Sequence, residues 1–114
     1  MVYVGTHDND TARGWWSQLS DAQRGFAASY LAADADNVHW ALIRAACNSV
    51  ANVAIVTMQD VLGLDGAHRM NLPGTPTGNW GWRFDWGRVG SEPARTLVRL
   101  AAASGRAPFA LLQA

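Results

Sequence analysis

The hydrophobic pattern predicts two β-strands with helices between and after them. Val2, Tyr3 and Val4 are β-branched or aromatic, and Gly5 ends the run, which is typical of a strand. A second apolar run, residues 51–57, lacks the alternation of a half-exposed strand, so we expect a strand that is buried on both faces. Both runs therefore indicate strands of a parallel sheet.

In the remaining segments the apolar residues recur at helical spacing, which predicts helices. We expect a short helical turn over residues 11–16 and a longer helix from Asp21 to Ala32 that is capped at Ser20 and Asp21. The apolar stripe of the longer helix is Ala22, Phe26, Tyr30 and Ala33. A further helix is capped by Asp36 or Asn37 and shows Val38, Ala41, Leu42, Ala45, Ala46 and Ser49 on one face. The last helix has Ser91 as its cap, Pro93 in its first turn, an apolar face of Ala94, Leu97, Val98 and Ala101, and its end near Gly105.

The order strand, helices, strand predicts a right-handed βαβ unit. Two parallel strands cannot close a sheet, and each would leave an unpaired edge that natural proteins cover or pair. We therefore expect an α/β architecture that is part of a larger parallel barrel or sheet, with earlier strands supplied from outside this chain. The segment from Met58 to Trp86 is predicted to be mostly loop, and the apolar tail from Pro108 to Ala114 to dock against a neighbour.

Composition and charge limit the number of domains and the classes of partner that the chain can have. The 114 residues allow one domain at most, and only 16% of them are charged, against about 25% in ordinary soluble domains. The net charge is zero and the nine Arg are scattered, which favours neither a nucleic-acid nor a membrane partner. Cys47 is the only cysteine, and we expect a buried, inert thiol in a helix. No membrane span and no leader are evident, so cytoplasmic residence is expected.

A His-Asp pair lies at the carboxyl end of the first predicted strand, within Gly5 to Asp10. Catalytic side chains gather at this end of parallel strands, because the scaffold holds them while the loops vary. A metal site at His7 and Asp8 would need further ligands, and neither His39 nor His68 has fitting spacing. We therefore expect a catalytic or binding site without a metal or another cofactor.

Four sequence blocks in a fixed order resemble the 4-alpha-glucanotransferases, the amylomaltases or disproportionating enzymes of glycoside hydrolase family 77. The blocks are Val2 to Thr11 with Gly14-Trp15-Trp16, Met58 to Leu64, Arg69 to Thr75, and Gly78-Asn79-Trp80 with Trp82-Arg83. The resemblance implies a (β/α)8 barrel of which residues 1–114 form a single partial domain, the carboxyl-terminal quarter with the last two βα units. It also implies 4-alpha-glucanotransferase activity (EC 2.4.1.25) in the complete protein.

The resemblance further implies a retaining mechanism on α-1,4-glucans and maltooligosaccharides with three acidic residues. Only the third maps onto this chain, at Asp8, an auxiliary catalytic carboxylate beside the sugar-binding His7. Thr6 and Asn9 of the same block are further candidate substrate-binding residues. The nucleophilic Asp and the acid/base Glu belong to strands without a counterpart here, and the helix dipole explains Glu92. The chain alone is therefore expected to be inactive.

A second polar group follows the second predicted strand. The Asn71 amide suits sugar hydroxyls, and Pro73 and Gly74 either bind substrate with it or only form a turn. Arg69 is expected to hold this loop or to pair with Asp60 or Asp8. Gln59 and Asp60 either line the mouth of the barrel or cap a short turn from Asp60 to Leu64.

Six tryptophans are present, and five are expected in or beside loops, where indoles stack on glucose rings. These five are Trp15, Trp16, Trp80, Trp82 and Trp86. We expect one or two of them, Trp80 foremost, to touch sugar, and Trp40 to touch none. Two alternatives stay open: a non-catalytic carbohydrate-binding module, and a fragment that complements the remaining barrel.

Overall fold

The computed structural model describes residues 1–108 and residue 110. The elements in chain order are β1 (Val2–Tyr3), α1 (Ala12–Gln18), α2 (Asp21–Leu31), α3 (Val38–Cys47), β2 (Ala54–Ile55), α4 (Met58–Val61) and α5 (Glu92–Ala103). Two 3-10 turns, Gly66–His68 and Trp86–Arg88, interrupt the otherwise irregular segment between α4 and α5. The predicted order strand, helices, strand, loop, helix is confirmed.

The two strands pair in parallel, with Val2 opposite Ala54 and Tyr3 opposite Ile55. They are shorter than predicted. The expectation that the second strand is buried on both faces is wrong for this chain, since Ile55 is 38% exposed, and Tyr3 in β1 is 49% exposed. The physical reason is that neither strand has a second neighbour among the described residues, so one edge and part of each face stay open.

Three helices form the crossover between the strands. The Thr11 hydroxyl accepts a hydrogen bond from the N–H of Gly14 and caps α1, while Ser20 and Gln23 form a reciprocal capping box at α2. Arg44 on α3 donates to the carbonyl of Leu31 at the end of α2, at 3.0 Å. A small core then forms where the three helices meet, around Trp16, Ala27 and Val38.

Two details of the crossover differ from the prediction. First, the predicted helical turn is a longer helix, because α1 extends to Gln18, and Trp16 is buried in the core. Second, the predicted apolar stripe of α2 is not covered, because Phe26 is 73% and Tyr30 80% exposed. Their rings lie nearly parallel on the surface, 6.1 Å apart. The stripe is correctly spaced for packing, but its partner is not among the described residues.

The predicted cap positions of α3 and α5 are correct, although their chemistry differs. Asn37 and Ser91 precede the two helices without a capping bond from either side chain. The Asn37 side-chain oxygen instead accepts from the N–H of Asp34 at 2.8 Å, which fixes the turn between α2 and α3. At α4 the cap is Thr57, not the predicted Asp60, and its hydroxyl accepts from the Asp60 N–H at 3.3 Å.

Arg106 joins the end of α5 to the entrance of β2. Its guanidinium donates to four backbone carbonyls, at 2.8 Å to Cys47 and Ala51 and at 3.3 Å to Ser49 and Asn52. Cys47 ends α3 and is half-buried rather than buried. Residue 109 and residues 111–114 of the predicted docking tail lie outside the described residues. Within the part that the structure describes, no helix combines the length and the apolar composition that crossing a membrane requires.

Candidate functional site

The loop after β1 places His7 and Asp8 at its tip. The Asn9 side-chain oxygen accepts from the Thr6 N–H at 2.8 Å and from the Thr6 hydroxyl at 3.0 Å, and the Thr6 hydroxyl accepts from the Asp8 N–H at 3.2 Å. Small polar side chains that bond to nearby backbone in this way stabilise tight turns. Thr6 and Asn9 are thus engaged in shaping the loop, which leaves the side chains of His7 and Asp8 about half exposed.

His7 and Asp8 form a coupled polar pair. The imidazole Nε2 lies 3.3 Å from Asp8 Oδ2, and the indole of Trp80 lies 4.9 Å from the imidazole, centroid to centroid. Trp80 holds a left-handed backbone conformation, φ +63°, that is uncommon for a bulky residue. The backbone N–H of Trp80 donates to the carbonyl of Met70 at 2.7 Å. This hydrogen bond supports the left-handed conformation, in which the indole lies beside His7.

The loop that contains Asn71 is built around one turn. Pro73 and Gly74 form its centre, the Thr75 N–H donates to the Leu72 carbonyl at 3.2 Å, and Gly74 has φ +84°, which favours glycine. The predicted turn is therefore confirmed. Asn79 closes the loop, because its side-chain oxygen accepts from the Leu72 N–H at 2.8 Å. Sequence reasoning missed this role of Asn79, and the signal for it is an Asn in a Gly-rich loop.

The two loops meet at Asp8, although Asn71 lies 63 residues further along the chain. Asn71 Nδ2 donates to Asp8 Oδ1 at 2.8 Å. Arg69 donates through Nη2 to the Asp8 carbonyl at 3.0 Å and through Nε to the Asn71 carbonyl at 3.2 Å. The prediction that Arg69 holds this loop is confirmed, while the alternative of an ion pair with Asp8 or Asp60 is wrong.

Gln59 and Asp60 lie beneath the two loops. Gln59 Nε2 donates to the His68 carbonyl at 3.2 Å, and Asp60 Oδ1 accepts from the Ala12 N–H at the start of α1 at 2.8 Å. Asp60 is only 2% exposed. Burial raises the pKa of its carboxyl, against the opposing effect of the hydrogen bonds from Ala12 and Thr57. Both side chains reach the wall of the cavity, but their polar atoms are used to hold neighbouring segments.

The remaining loop tryptophans differ in exposure. Trp82 is half-buried and donates from its indole N–H to Nδ1 of His68 at 3.0 Å, while Trp86 is 74% exposed. Trp40 lies on α3 and contacts His39. Trp80, at 63% exposed and beside His7, is therefore the tryptophan that the structure brings to the His-Asp pair.

A cavity of about 280 Å³ opens beside the His-Asp pair. Its lining includes Gly5 to His7, Asn9 to Thr11, Thr57 to Asp60, Arg69, Met70 and Trp80. Asp8 and Asn71 are not part of its lining, but His7 and Arg69, which both contact Asp8, are. Among the described residues, no three His, Cys, Asp or Glu side chains are grouped closely enough to hold a metal ion.

Comparison with known proteins gives this geometry a context. Residues 1–88 match the family model described as 4-alpha-glucanotransferase. The chain belongs to this family. It is 52% identical over 107 residues to a chloroplastic/amyloplastic 4-alpha-glucanotransferase of Arabidopsis thaliana, covering 88% of this chain and 19% of that protein. It is 41% identical to the 4-alpha-glucanotransferase of Thermus thermophilus, covering 93% and 22%.

A solved structure agrees with the sequence comparisons. The chain superposes on the amylomaltase from Streptococcus agalactiae in complex with acarbose with a TM-score of 0.87 at 29% identity. The match covers 93% of this chain and 22% of that chain. The fold prediction, two parallel strands with helical connections equal to about a quarter of a (β/α)8 barrel, is confirmed. The chain thus spans about a fifth of the length of the relatives that it matches.

Proposed function

We propose that this chain supplies the auxiliary carboxylate and part of the sugar-binding surface of a retaining 4-alpha-glucanotransferase. The enzyme would transfer segments of α-1,4-glucans between maltooligosaccharides. The observation that carries the proposal is the hydrogen bond of 2.8 Å between Asn71 and Asp8, which joins two of the family's sequence blocks at one point. Asp8 is the catalytic residue in this proposal, and residues 1–114 are the last two βα units of the barrel.

The chemistry of Asp8 follows from its surroundings. One oxygen accepts from Asn71 and the other lies near His7 Nε2, so the carboxylate is oriented while about half of its surface faces solvent. An oriented carboxylate accepts hydrogen bonds from sugar hydroxyls, and such bonds strengthen as the ring flattens towards an oxocarbenium ion. His7 and Asn71 would donate to neighbouring hydroxyls, and the indole of Trp80 would stack on the sugar face.

Hydrolysis or transfer with retention needs two carboxyl groups about 5 to 5.5 Å apart, a nucleophile and a proton donor. The other carboxylates near the cavity are already engaged. Asp60 is buried against Ala12, and Asp10 accepts from the Thr11 N–H at 2.8 Å. Glu92 lies on α5 and pairs with Arg95. We therefore propose that the nucleophile and the acid/base come from the rest of the barrel, and that this chain alone is inactive.

An uncovered apolar face supports the need for the rest of the barrel. A groove beside α2 is lined by Trp15, Leu19, Ala22, Gln23, Phe26, Ala27, Tyr30, Leu31 and Leu42. A second opening shares Trp15 and Leu42 with this groove and continues to Val4 at the end of β1. Exposed apolar surface of this extent is typical of an interface. We propose that barrel segments outside this chain cover it.

The deciding experiment measures disproportionation of maltotriose. We expect no glucose release from the purified chain, and release when it is mixed with the preceding barrel portion of the Thermus thermophilus relative. Asp8→Asn in the mixture should abolish release, whereas Asp85→Asn, an exposed carboxylate on the segment before α5, should not. Glucose release from the chain alone, or full activity of Asp8→Asn, would contradict the proposal. Micromolar binding of maltooligosaccharide by the chain without activity in the mixture would favour a carbohydrate-binding module instead.

The compartment stays a prediction. Cytoplasmic residence was expected from the sequence, and the Arabidopsis thaliana relative carries a chloroplastic/amyloplastic name. Fractionation of cells that express the complete protein from its own gene would test it.

A further inference from the structure

The Asp10 carboxylate occupies a space that two glycines leave open. A Cβ atom on Gly66 would lie 2.9 Å from Asp10 Oδ1 and 3.4 Å from Oδ2, and a Cβ on Gly14 would overlap the same carboxylate. Real Cβ atoms do not approach other atoms this closely, so neither glycine tolerates a side chain while Asp10 stays in place. Gly14 is on α1, whereas Gly66 begins the 3-10 turn that leads into the Asn71 loop.

Hydrogen bonds fix the carboxylate in this position. Asp10 Oδ1 accepts from the Thr11 N–H at 2.8 Å, and Oδ2 accepts from Gln18 Nε2 at 3.4 Å. The adjacent N–H of Ala12 donates to Asp60, so the start of α1 is held by two carboxylates from different parts of the chain. The two bonds to Asp10 hold its carboxylate between α1 and Gly66, at the base of the loop that presents Asp8.

Gly66 lies between the Asp10 carboxylate and the Asn71 loop. From Gly66 the chain passes through His68, whose carbonyl accepts from Gln59, and reaches Arg69 and Asn71, which bond to Asp8. Gly66 and the Asp10 carboxylate therefore lie against each other near the point where the two loops begin. A wider separation at the base would move Asn71 away from Asp8.

We infer that Asp10 is a positioning residue that, by packing its carboxylate against Gly66, sets the distance between Asn71 and Asp8. The inference rests on the proposed function for its catalytic meaning, but its structural content is independent of it. Asp10 lines the cavity, but in this scheme it acts through the positions of Asn71 and Asp8 rather than on the substrate. Gly66 acts through the absence of a side chain, and its backbone is not in the left-handed region.

The test uses the side-chain amide resonance of Asn71 in the ¹⁵N-labelled chain. In the unaltered protein this resonance should shift on Asp8→Asn, since the amide donates to that carboxylate. We call the size of this chemical-shift change the Asn71 response. In the Gly66→Ala background the Asn71 response should be at least twofold smaller. The matched control is Gly81→Ala, because Gly81 has no atom within 4 Å of its Cβ position and no positive φ. This control should keep the full response.

A double-mutant cycle separates positioning from general damage. Asp10→Ser removes bulk but keeps an oxygen for the Thr11 N–H, and alone it should also weaken the Asn71 response. Combined with Gly66→Ala it should restore the response, since the new methyl group fills the vacated space. If circular dichroism shows that Gly66→Ala is unfolded, the test is the comparison of the Asn71 response between Asp10→Ser and the double variant. An unchanged Asn71 response in either folded single variant, or no restoration in the double variant, would overturn the inference.

Activity then links the positioning role to catalysis. In the maltotriose mixture described above, Gly66→Ala should lower kcat/KM about tenfold and the double variant should recover most of it, while Gly81→Ala stays near the unaltered value. Loss of the Asn71 response without any loss of transferase activity would leave Asp10 as a positioning residue and count against the proposed role of Asn71 and Asp8.

Discussion

Arg106→Ala should destabilise the chain by about 2 to 3 kcal/mol. The planar guanidinium donates to four carbonyls at the end of α3 and the entrance of β2, two of them at 2.8 Å and two at 3.3 Å. A hydrogen bond to a charged group contributes roughly 1.5 to 3 kcal/mol when it is well formed and shielded. Only the two short bonds meet this description, and water can reach part of the site, so the estimate stays near the contribution of one to two bonds.

Equilibrium unfolding in urea, followed by tryptophan fluorescence, measures this change. Arg106→Lys should recover less than half of the loss, because an ammonium group cannot reach four carbonyls in one plane. Arg95→Ala is the matched control, since Arg95 makes one exposed ion pair with Glu92, and such pairs contribute about 0.3 to 0.5 kcal/mol. The reasoning fails if Arg106→Ala and Arg95→Ala destabilise the chain equally, or if Arg106→Lys behaves as the unaltered protein.

Three further predictions concern the pH dependence of stability, at two buried groups, and the exposed apolar surface of α2. Burial raises the pKa of Asp60, so the ionised carboxylate destabilises the folded state. The change in unfolding free energy caused by Asp60→Asn should therefore be more favourable above about pH 5 than at about pH 3. Urea titrations at several pH values measure this difference. Burial and Arg13 lower the pKa of His39, so this residue opposes folding as pH falls below about 6.5, and His39→Gln should flatten that part of the profile. Phe26→Ser with Tyr30→Ser should reduce self-association in sedimentation velocity without lowering stability, because both side chains are more than 70% exposed.

Each of these has an outcome that contradicts it. If His39→Gln loses stability below about pH 6.5 as steeply as the unaltered chain, His39 is not the group that opposes folding there. A pH profile of Asp60→Asn parallel to that of the unaltered chain would show that the buried carboxyl is not the group that titrates. Unchanged sedimentation of the Phe26 and Tyr30 double variant would mean that the exposed α2 stripe does not drive association. Ser29→Ala, an exposed position on the same helix outside the groove, serves as its control.

Local sequence signals predicted much of the fold. The capping box at Ser20, the Pro73-Gly74 turn and the parallel pairing of two apolar runs all depend on neighbouring residues or on simple periodicity, and the structure has each of them. Burial was predicted less well. Spacing identifies a stripe such as that of Phe26 and Tyr30 as a packing surface, but it cannot say whether the partner lies within the same chain.

The candidate site divides in a similar way. His7, Asp8, Arg69 and Asn71 were found from motifs, and the structure brings them together. Asp60 lies in the cavity wall, which is one of its two predicted roles, but its hydrogen bond from Ala12 was missed because Ala12 lies 48 residues away and no local pattern predicts that contact. The contact between Asp10 and Gly66 was missed for the same reason. The sequence does not show which atom lies beside a glycine, so it cannot show that a side chain there would collide with that atom.

The parallel register of β1 and β2 also dictates an order of folding. Val2 pairs with Ala54, and Asn71 reaches Asp8 across 63 residues, so the strand pairing has to wait for residue 54 and the loop contact for residue 71. The helices α1 to α3 depend on contacts of much shorter range and can fold earlier as the chain leaves the ribosome. The site is therefore among the last parts to form, and a nascent chain that is stopped before Trp80 would carry a folded crossover whose His-Asp loop still awaits its partner.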